Sequence, residues 1–235
     1  DGAVGFSCTY ADLAGNDIAS AITVATSGAV EIDNTHPSIS SVTFDSGDYV
    51  NNAEDESAIN LVIVTSGAED TETVTATLNG ADYTCDLSSN TCTASITSAA
   101  LKALTDGNSY TFSVAVSDTA GNAATANTAE SFTYDVTAPT STTAVESVDG
   151  TGNANDADVV TITLDPSETV GTPTCTFTDG IGAMEDTTVD YDTTGDDSHT
   201  AQVTVHNDDD DGAVGFSCTY ADLAGNDIAS AITVA

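Results

Sequence analysis

The chain has 235 residues and carries 38 acidic side chains against 1 basic one, which gives a formal charge of −37. Such a surface repels nucleic acid and anionic membranes, because both are negatively charged, and it attracts cations. The hydrophobic fraction of 40% is still sufficient for a packed core. No apolar run approaches the roughly 18 residues that a membrane span requires, so we expect no membrane insertion.

Short alternating segments, separated by Gly, Asn, Asp and Ser clusters, predict strands along the whole chain. After His36 the segments are SVTFD, INLVIVTS, ETVTATLNG, ADYTC, TCTASIT, SYTFSVAVSD and ESFTYD. A single helical turn is expected within SAALKALTDG, which starts at Ser98. After Thr140 the segments are TAVESVD, DVVTITLD, TPTCTFTD, TTVDYD, HTAQVTVH and AVGFSCTYAD. About seven short strands per 100 residues indicate antiparallel β-sandwiches.

The chain contains a long exact repeat. The stretch DGAVGFSCTYADLAGNDIASAITVA begins at Asp1 and recurs from Asp211 to Ala235, a separation of 210 positions. Chance cannot produce identity over that length. We therefore expect the chain to be an excerpt of a tandem array, which starts and stops inside a repeated domain.

Internal alignment of the two halves predicts the domain boundaries. SYTFSVAVSDTAGN (109–122) aligns without gaps to AVGFSCTYADLAGN (213–226), and TYDVTAPT aligns to EIDNTHPS. The prediction is a set of terminal strands of a partial domain in residues 1–35, a complete sandwich in 36–138, and a second sandwich in 139–235 whose last strand is incomplete.

The five cysteines fit this repeat. One period contains four of them, because Cys8 and Cys218 occupy the same repeat position. Cys85 and Cys92 flank CDLSSNTC, a suitable length for two facing strands of a hairpin, and Cys175 then pairs with Cys218. Cys8 remains unpaired. Zinc binding is the alternative, but the spacing suits cross-strand disulfides better, and these predict a location outside the cytosol.

Longer stretches carry a resemblance to a known family. YVNNAEDESAINLVIVTSGAEDTETVTATLNGADYTC, SAALKALTDGNSYTFSVAVSDTAGNAATA and YDVTAPT resemble the bacterial immunoglobulin-like repeats of giant surface adhesins and biofilm matrix proteins. The resemblance is close between Pro37 and Pro139, and beyond Thr140 it rests on the DLAGN turn and the strand plan. It implies an all-β fold of tandem Ig-like sandwiches, an extracellular or cell-surface location, and calcium at the junctions between domains.

Acidic and amide side chains concentrate in the loops that the predicted topology brings to the domain ends. Calcium takes six to eight oxygen ligands of this kind. Candidate calcium ligands at the first junction are Asp45, Asp48, Asn51, Asn52, Asp55, Asp106, Asp135, Asp222 and Asn226. Candidates at the second type of junction are Asp149, Asn153, Asn155, Asp156, Asp158 and Asp33. The alternative is that Asp and Asn occupy these loops because they form good turns and keep the protein soluble.

No enzyme is predicted. The histidines His36, His199 and His206 are scattered, and the sequence lacks a GxSxG elbow, an HExxH pair or a phosphate-binding glycine loop. The three D-x-A-G-N sequences are first of all structural turns, in which glycine supplies a positive φ and aspartate binds its own backbone.

These observations favour a structural repeat unit of a stalk or filament, stiffened by calcium, whose partners are copies of itself. Subunits would assemble by strand exchange, with the segment Thr26–Asp33 as the exchanged strand. The alternative is an adhesin module that binds a carbohydrate or a cell-surface ligand. Clustered surface aromatics would favour it, but Tyr49, Tyr134 and Tyr191 are spread along the chain.

Overall fold

The computed structural model describes residues 2–18, 30–125, 130–147, 152–179, 181–184, 192–193, 198–228 and 232–234. Almost all of its regular structure is β-strand, as predicted. The strands are β1 (Gly2–Ala3), β2 (Glu31–Ile32), β3 (Ser38–Phe44), β4 (Tyr49–Val50), β5 (Ile59–Ser66), β6 (Thr73–Leu78), β7 (Ala81–Asp86), β8 (Thr91–Ile96), β9 (Asn108–Thr111), β10 (Ser113–Ala115), β11 (Ser131–Tyr134), β12 (Ser141–Ser147), β13 (Val159–Pro166), β14 (Thr174–Thr178), β15 (Asp192–Thr193), β16 (His199–Thr204), β17 (Gly215–Thr219) and β18 (Ile232–Val234).

Among the described residues, helical structure is limited to two short pieces. A 3-10 turn covers Glu54–Glu56, and α1 covers Ser98–Leu101. The Thr97 side chain caps α1 by accepting a hydrogen bond from the Ala100 amide. The single helical turn expected after Thr97 is therefore present. No helix in the described ranges is long and apolar enough to cross a membrane.

The chain divides into two compact units, and the first comprises Asp1–Asp45, Ile59–Ile96 and Tyr110–Ser131. It contains the antiparallel sheets β3–β5–β8 and β10–β6–β7. Alternate residues of β5 are buried, which is the pattern of a strand with one face on a core. The rings of Phe44 and Phe112 contact each other at 5.1 Å between centroids inside this core.

The second unit comprises Ser46–Ala58, Thr97–Ser109 and Phe132–Ala235. Its sheets are β4–β11–β9, β12–β13–β16–β15 and β14–β17–β18, and β4 pairs with β11 in parallel. If β12 to β18 are lettered A to G in chain order, the last two sheets have the strand orders A-B-E-D and C-F-G. This is the strand order of a constant-type immunoglobulin domain, so the Ig-like prediction is confirmed by topology.

Two disulfides and a free, exposed Cys8 are present, as the spacing predicts. Cys175 and Cys218 lie directly opposite each other on β14 and β17. Cys85 and Cys92 differ from the hairpin expectation, because β7 and β8 belong to different sheets and the disulfide joins the two layers. The disulfides fit the predicted extracellular location.

The two copies of the repeated stretch differ in packing. Residues 4–17 are exposed throughout, and β1 pairs with β2 beside them, whereas residues 215–219 form the central strand of a sheet. The described part of the first copy is therefore not packed into the core of its own unit. Packing into that core would have excluded strand exchange. Residues 26–29 of the predicted exchanged strand lie outside the described ranges. The domain boundaries 1–35, 36–138 and 139–235 stay predictions.

Candidate cation site

The D-x-A-G-N turn after β17 is the centre of the candidate site. Asp222 accepts hydrogen bonds from the Asn226 backbone amide at 2.9 Å and from the Asn226 side-chain amide at 2.8 Å. The Asp222 amide in turn donates to the Asn226 carbonyl, and Gly225 takes the positive φ that the turn requires. Both the aspartate and the asparagine are buried, so the turn presents a fixed carboxylate.

Asn226 connects this turn to the predicted linker and to the loop after β4. Its side-chain amide donates to the Asp135 carbonyl at 2.8 Å, and its Oδ1 accepts the Asn52 amide at 2.9 Å. The Asn51 side chain donates to the Ala224 carbonyl at 2.9 Å. A Cβ placed on Gly225 would lie 3.2 Å from the Asn51 amide nitrogen, so a larger residue there would displace the Asn51 side chain by a few tenths of an ångström.

Three carboxylates from separate loops meet beside this contact. Oxygens of Asp135, Glu168 and Asp222 all lie within 4.8 Å of one another. Asp222 is buried, and the other two are half-buried. Asp135 follows β11, Glu168 follows β13 and Asp222 follows β17, so the group depends on three strand ends arriving at one place. Three such oxygens fit a hard divalent cation, which prefers carboxylate ligands.

The pKa shifts express the electrostatic cost of this arrangement. Burial raises the pKa of Asp135 above its ordinary value, and the Asp222 carboxylate raises it further. Burial likewise raises the pKa of Glu168, and Asp135 and Asp222 add to that shift. Both shifts mean that the charged carboxylates are destabilised in the folded protein. A bound cation would offset that cost.

Two other predicted ligands are engaged elsewhere in the second unit. Asp106 accepts hydrogen bonds from the Thr137 hydroxyl and the Val136 amide, which lower its pKa. Asp55 is buried, accepts the Tyr134 hydroxyl at 2.6 Å and lies 3.9 Å from the Lys102 ammonium. These contacts hold the segment after β11 and the 3-10 turn in place.

The remaining candidates lie outside the three-carboxylate group. Asp45 and Asp48 are exposed. Asn155 and Asp158 bond to each other across a tight turn, with the Asn155 amide 2.7 Å from the Asp158 carboxylate. The other candidates of the second junction type are distributed as follows: Asn153 and Asp156 line a cavity, Asp149 lies outside the described residues, and Asp33 belongs to the first unit. Their role as ligands stays a prediction.

The same turn geometry occurs in the first unit. The Asn122 side chain bonds Asp118 at 2.9 Å and donates to the Asp33 carbonyl at 3.1 Å, as Asn226 does to Asp222 and Asp135. Among the described residues no third carboxylate joins Asp33 and Asp118. Both turns thus make the hydrogen bond to the linker, but among the described residues only the Asp222 turn belongs to a group of three carboxylates.

Glu168 is the site residue that sequence reasoning missed. The predicted ligands lie in loops dense in Asp and Asn, whereas the segment DPSETV has only Asp165 beside Glu168. A usable signal was its position directly after a predicted strand, because the loop after the second strand of an Ig-like sandwich lies at the same end as the turn between the last two strands.

The chain matches no protein-family model and no curated protein. Among solved structures it is similar to a Ca2+-stabilized adhesin that helps an Antarctic bacterium reach out and bind ice, with 23% identity and a TM-score of 0.46 over 99% of this chain and 55% of that one. A 1.5-MDa bacterial ice-binding adhesin gives 23% identity and a TM-score of 0.48 over 97% of this chain and 71% of that one. A segment of three titin Ig domains gives 14% identity and a TM-score of 0.47 over 84% of this chain and 64% of that one.

The chain thus spans about 55% of the length of the first of these adhesins. The two adhesins and the titin segment are each under 25% identical to this chain, with TM-scores below 0.5.

Proposed function

We propose that this chain is an extracellular structural repeat, part of a stalk or filament of tandem Ig-like sandwiches that calcium stiffens at the predicted linker. The observation that carries the proposal is the junction built around Asn226, where turn, linker and loop are joined by direct hydrogen bonds. A linker that is fixed in this way transmits force and limits bending between the domains on either side.

Calcium is the proposed ion because the site offers only oxygen ligands of the required charge. Asp135 would bind from the linker, Glu168 from the loop after β13 and Asp222 from the turn after β17. Together with water or carbonyl oxygens they can complete the six to eight ligands that calcium takes. The ion would neutralise three crowded carboxylates and tie the linker to two loops of the following sandwich.

Thermal unfolding at millimolar calcium and again with excess chelator tests this proposal. Calcium that binds only the folded protein raises the melting temperature, and chelation removes the increase. Glu168→Gln should abolish most of the calcium response, while Asp17→Asn, which removes the same charge from an exposed position, should preserve it. An equal response in the parent and in Glu168→Gln would rule out this site.

Assembly from copies of the chain, and specifically strand exchange, belongs to the same proposal. The rival adhesin module receives little support from Tyr49 and Tyr134. Tyr134 is buried and hydrogen-bonded to Asp55, and Tyr49 is half-buried, so neither offers an open ring to a carbohydrate. Tyr191 lies outside the described residues. A non-enzymatic role likewise remains part of the proposal.

A further inference from the structure

One end of the sandwich formed by β12 to β18 contains a cavity of about 730 Å³. Aspartates surround it, but its lining also includes the large apolar side chains of Val160, Met184, Val205 and Val214. Val160 and Met184 belong to the hydrophobic core, and Val205 and Val214 pack against that core. The cavity therefore reaches apolar side chains of the core.

The backbone beside this cavity has an open edge. Residues 212–214 lead into β17, and none of the described residues pairs with them. The identical residues 2–4 do have a partner. Gly2 pairs with Ile32, Ala3 pairs with Glu31, and the Val4 amide donates to the Val30 carbonyl at 2.7 Å. The pairing of residues 2–4 with residues 30–32 thus shows which strand the identical residues 212–214 are able to accept.

Corresponding positions elsewhere show where the side chains of that strand belong. When the alignment of EIDNTHPS (31–38) with TYDVTAPT (133–140) is extended by one residue towards the N-terminus, Val30 and Ile32 match Phe132 and Tyr134 of β11. Phe132 and Tyr134 are only 2% and 4% exposed, whereas Val30 and Ile32 are 68% and 51% exposed. Val30 and Ile32 therefore have the positions of core residues without a core around them.

We propose that the cavity is an acceptor groove for residues 30–33 of a second copy of this chain. The inserted strand pairs with residues 212–214 in the register seen at the other copy, with Ile32 opposite Gly212 and Glu31 opposite Ala213. Its apolar side chains then cover Val160, Met184 and Val214. This inference rests on the proposed assembly by strand exchange, and it identifies the groove, the segment and the register.

The energetics favour this short exchange over a longer one. Replacing residues 211–228 by residues 1–18 of another copy would exchange identical contacts and yield no net gain. Transfer of residues 30–33 breaks the exposed β1–β2 ladder and the hydrogen bond from the Asn122 side chain to the Asp33 carbonyl. It re-forms backbone bonds equivalent to the ladder and buries Val30 and Ile32 in addition. The net driving force is the burial of these two side chains.

Charge opposes the same step. The groove is lined by Asp156, Asp209, Asp210 and Asp211, and the entering strand brings Glu31 and Asp33. Salt screens such repulsion between exposed charges. Association should therefore increase with ionic strength, which is opposite to the behaviour of an interface held by salt bridges.

A register-specific disulfide in the full chain tests the proposal. The background is Cys8→Ser, and Glu31→Cys with Ala213→Cys forms the test pair. Because Val4 and Val30 form a hydrogen-bonded pair, the neighbouring positions 3 and 31 form the closer, non-hydrogen-bonded pair, within disulfide range. Glu31→Cys with Gly215→Cys is the control, which keeps the same face two residues out of register. Oxidation at molar salt should give at least tenfold more covalent oligomer from the test pair.

Size-exclusion chromatography of two substitution variants provides an independent check. Ile32→Asp places a charge on the inserted face and should weaken association at least tenfold. Leu13→Asp, the matched change at an apolar residue that is fully exposed, should leave association unchanged.

Several results would overturn the inference. Equal cross-linking of the control pair, unchanged assembly of Ile32→Asp, or a disulfide between positions 31 and 213 in monomers would each exclude this groove and partner. A chain that stays monomeric at every salt concentration would also exclude it. None of these results bears on the calcium-dependent melting shift, so failure of the groove and failure of the stiffened junction are separable.

Discussion

The repeated stretch gives two identical segments in two environments. Phe6 and Tyr10 are 42% and 64% exposed, whereas the same residues in the second copy, Phe216 and Tyr220, are 4% and 5% exposed. The D-x-A-G-N turn nevertheless has the same hydrogen bonds in both copies, with Asn16 bonded to Asp12 at 2.9 and 2.8 Å. The turn is therefore determined locally, and burial is determined by the strands that surround it.

The largest difference between the copies should come from their cysteines. Cys218→Ser removes the disulfide to Cys175, which spans 43 residues, and the loop-entropy estimate for its loss is about 4 kcal/mol of unfolding free energy. Cys8→Ser removes an exposed thiol without a disulfide partner and should change stability by less than about 0.5 kcal/mol. Denaturant unfolding under non-reducing conditions measures both. Equal losses would show that the first copy is packed like the second.

A second pair compares burial of the same ring. Phe216→Ala should cost about 3 kcal/mol, because the side chain is part of the core, and Phe6→Ala should cost less than about 0.5 kcal/mol. The change in denaturant midpoint of each variant provides the measurement. A large loss for Phe6→Ala in a monomeric sample would contradict the exposed position of the first copy.

The fold follows from the sequence to a large extent, because alternation and turn residues are local signals. INLVIVTS coincides with β5, and the capped turn at Ser98 lies where one was expected. The layer that each strand joins is not a local signal. The Cys85–Cys92 disulfide was predicted inside a hairpin, yet the chain between these residues crosses from one sheet to the other.

Asparagine provides a third comparison. Asn226→Ala removes donors to Asp135 and Asp222 and the acceptor for the Asn52 amide, and leaves buried groups unpaired, at a cost of about 2 kcal/mol. Asn16→Ala removes only the side-chain hydrogen bond to Asp12 within an exposed turn, at a cost of about 0.5 kcal/mol. Thermal unfolding of both variants, each with chelator present, separates these values. Similar costs would mean that the linker contact contributes nothing to stability.

The candidate site was less accessible to sequence reasoning than the fold. Asp135 and Asp222 were identified because they recur in aligned linkers and turns, but Glu168 has no counterpart in those alignments. Conversely, Asp106 and Asp55 have the composition of ligands but are occupied by Thr137 and Tyr134. Loop composition reveals where acids concentrate, and only the packing of strand ends reveals which of them meet.

The smallest expected effect concerns Glu168, the carboxylate that lies beside the Asp222 turn of the second copy. The Asn16 side chain lowers the pKa of Asp12, whereas burial and like charges raise the pKa of Glu168 beside Asp222. A raised folded-state pKa stabilises the protein below the ordinary value of about 4.3, and this stability is lost as pH rises through the folded-state pKa. Without calcium, Glu168→Gln should therefore lose less stability than the parent between about pH 4 and pH 7, by less than about 1 kcal/mol. Melting curves across this range, with Asp17→Asn as the control for net charge, test the sign. A steeper loss in Glu168→Gln would mean that the three carboxylates do not repel one another in the folded protein, and the electrostatic reason for a cation at this junction would disappear.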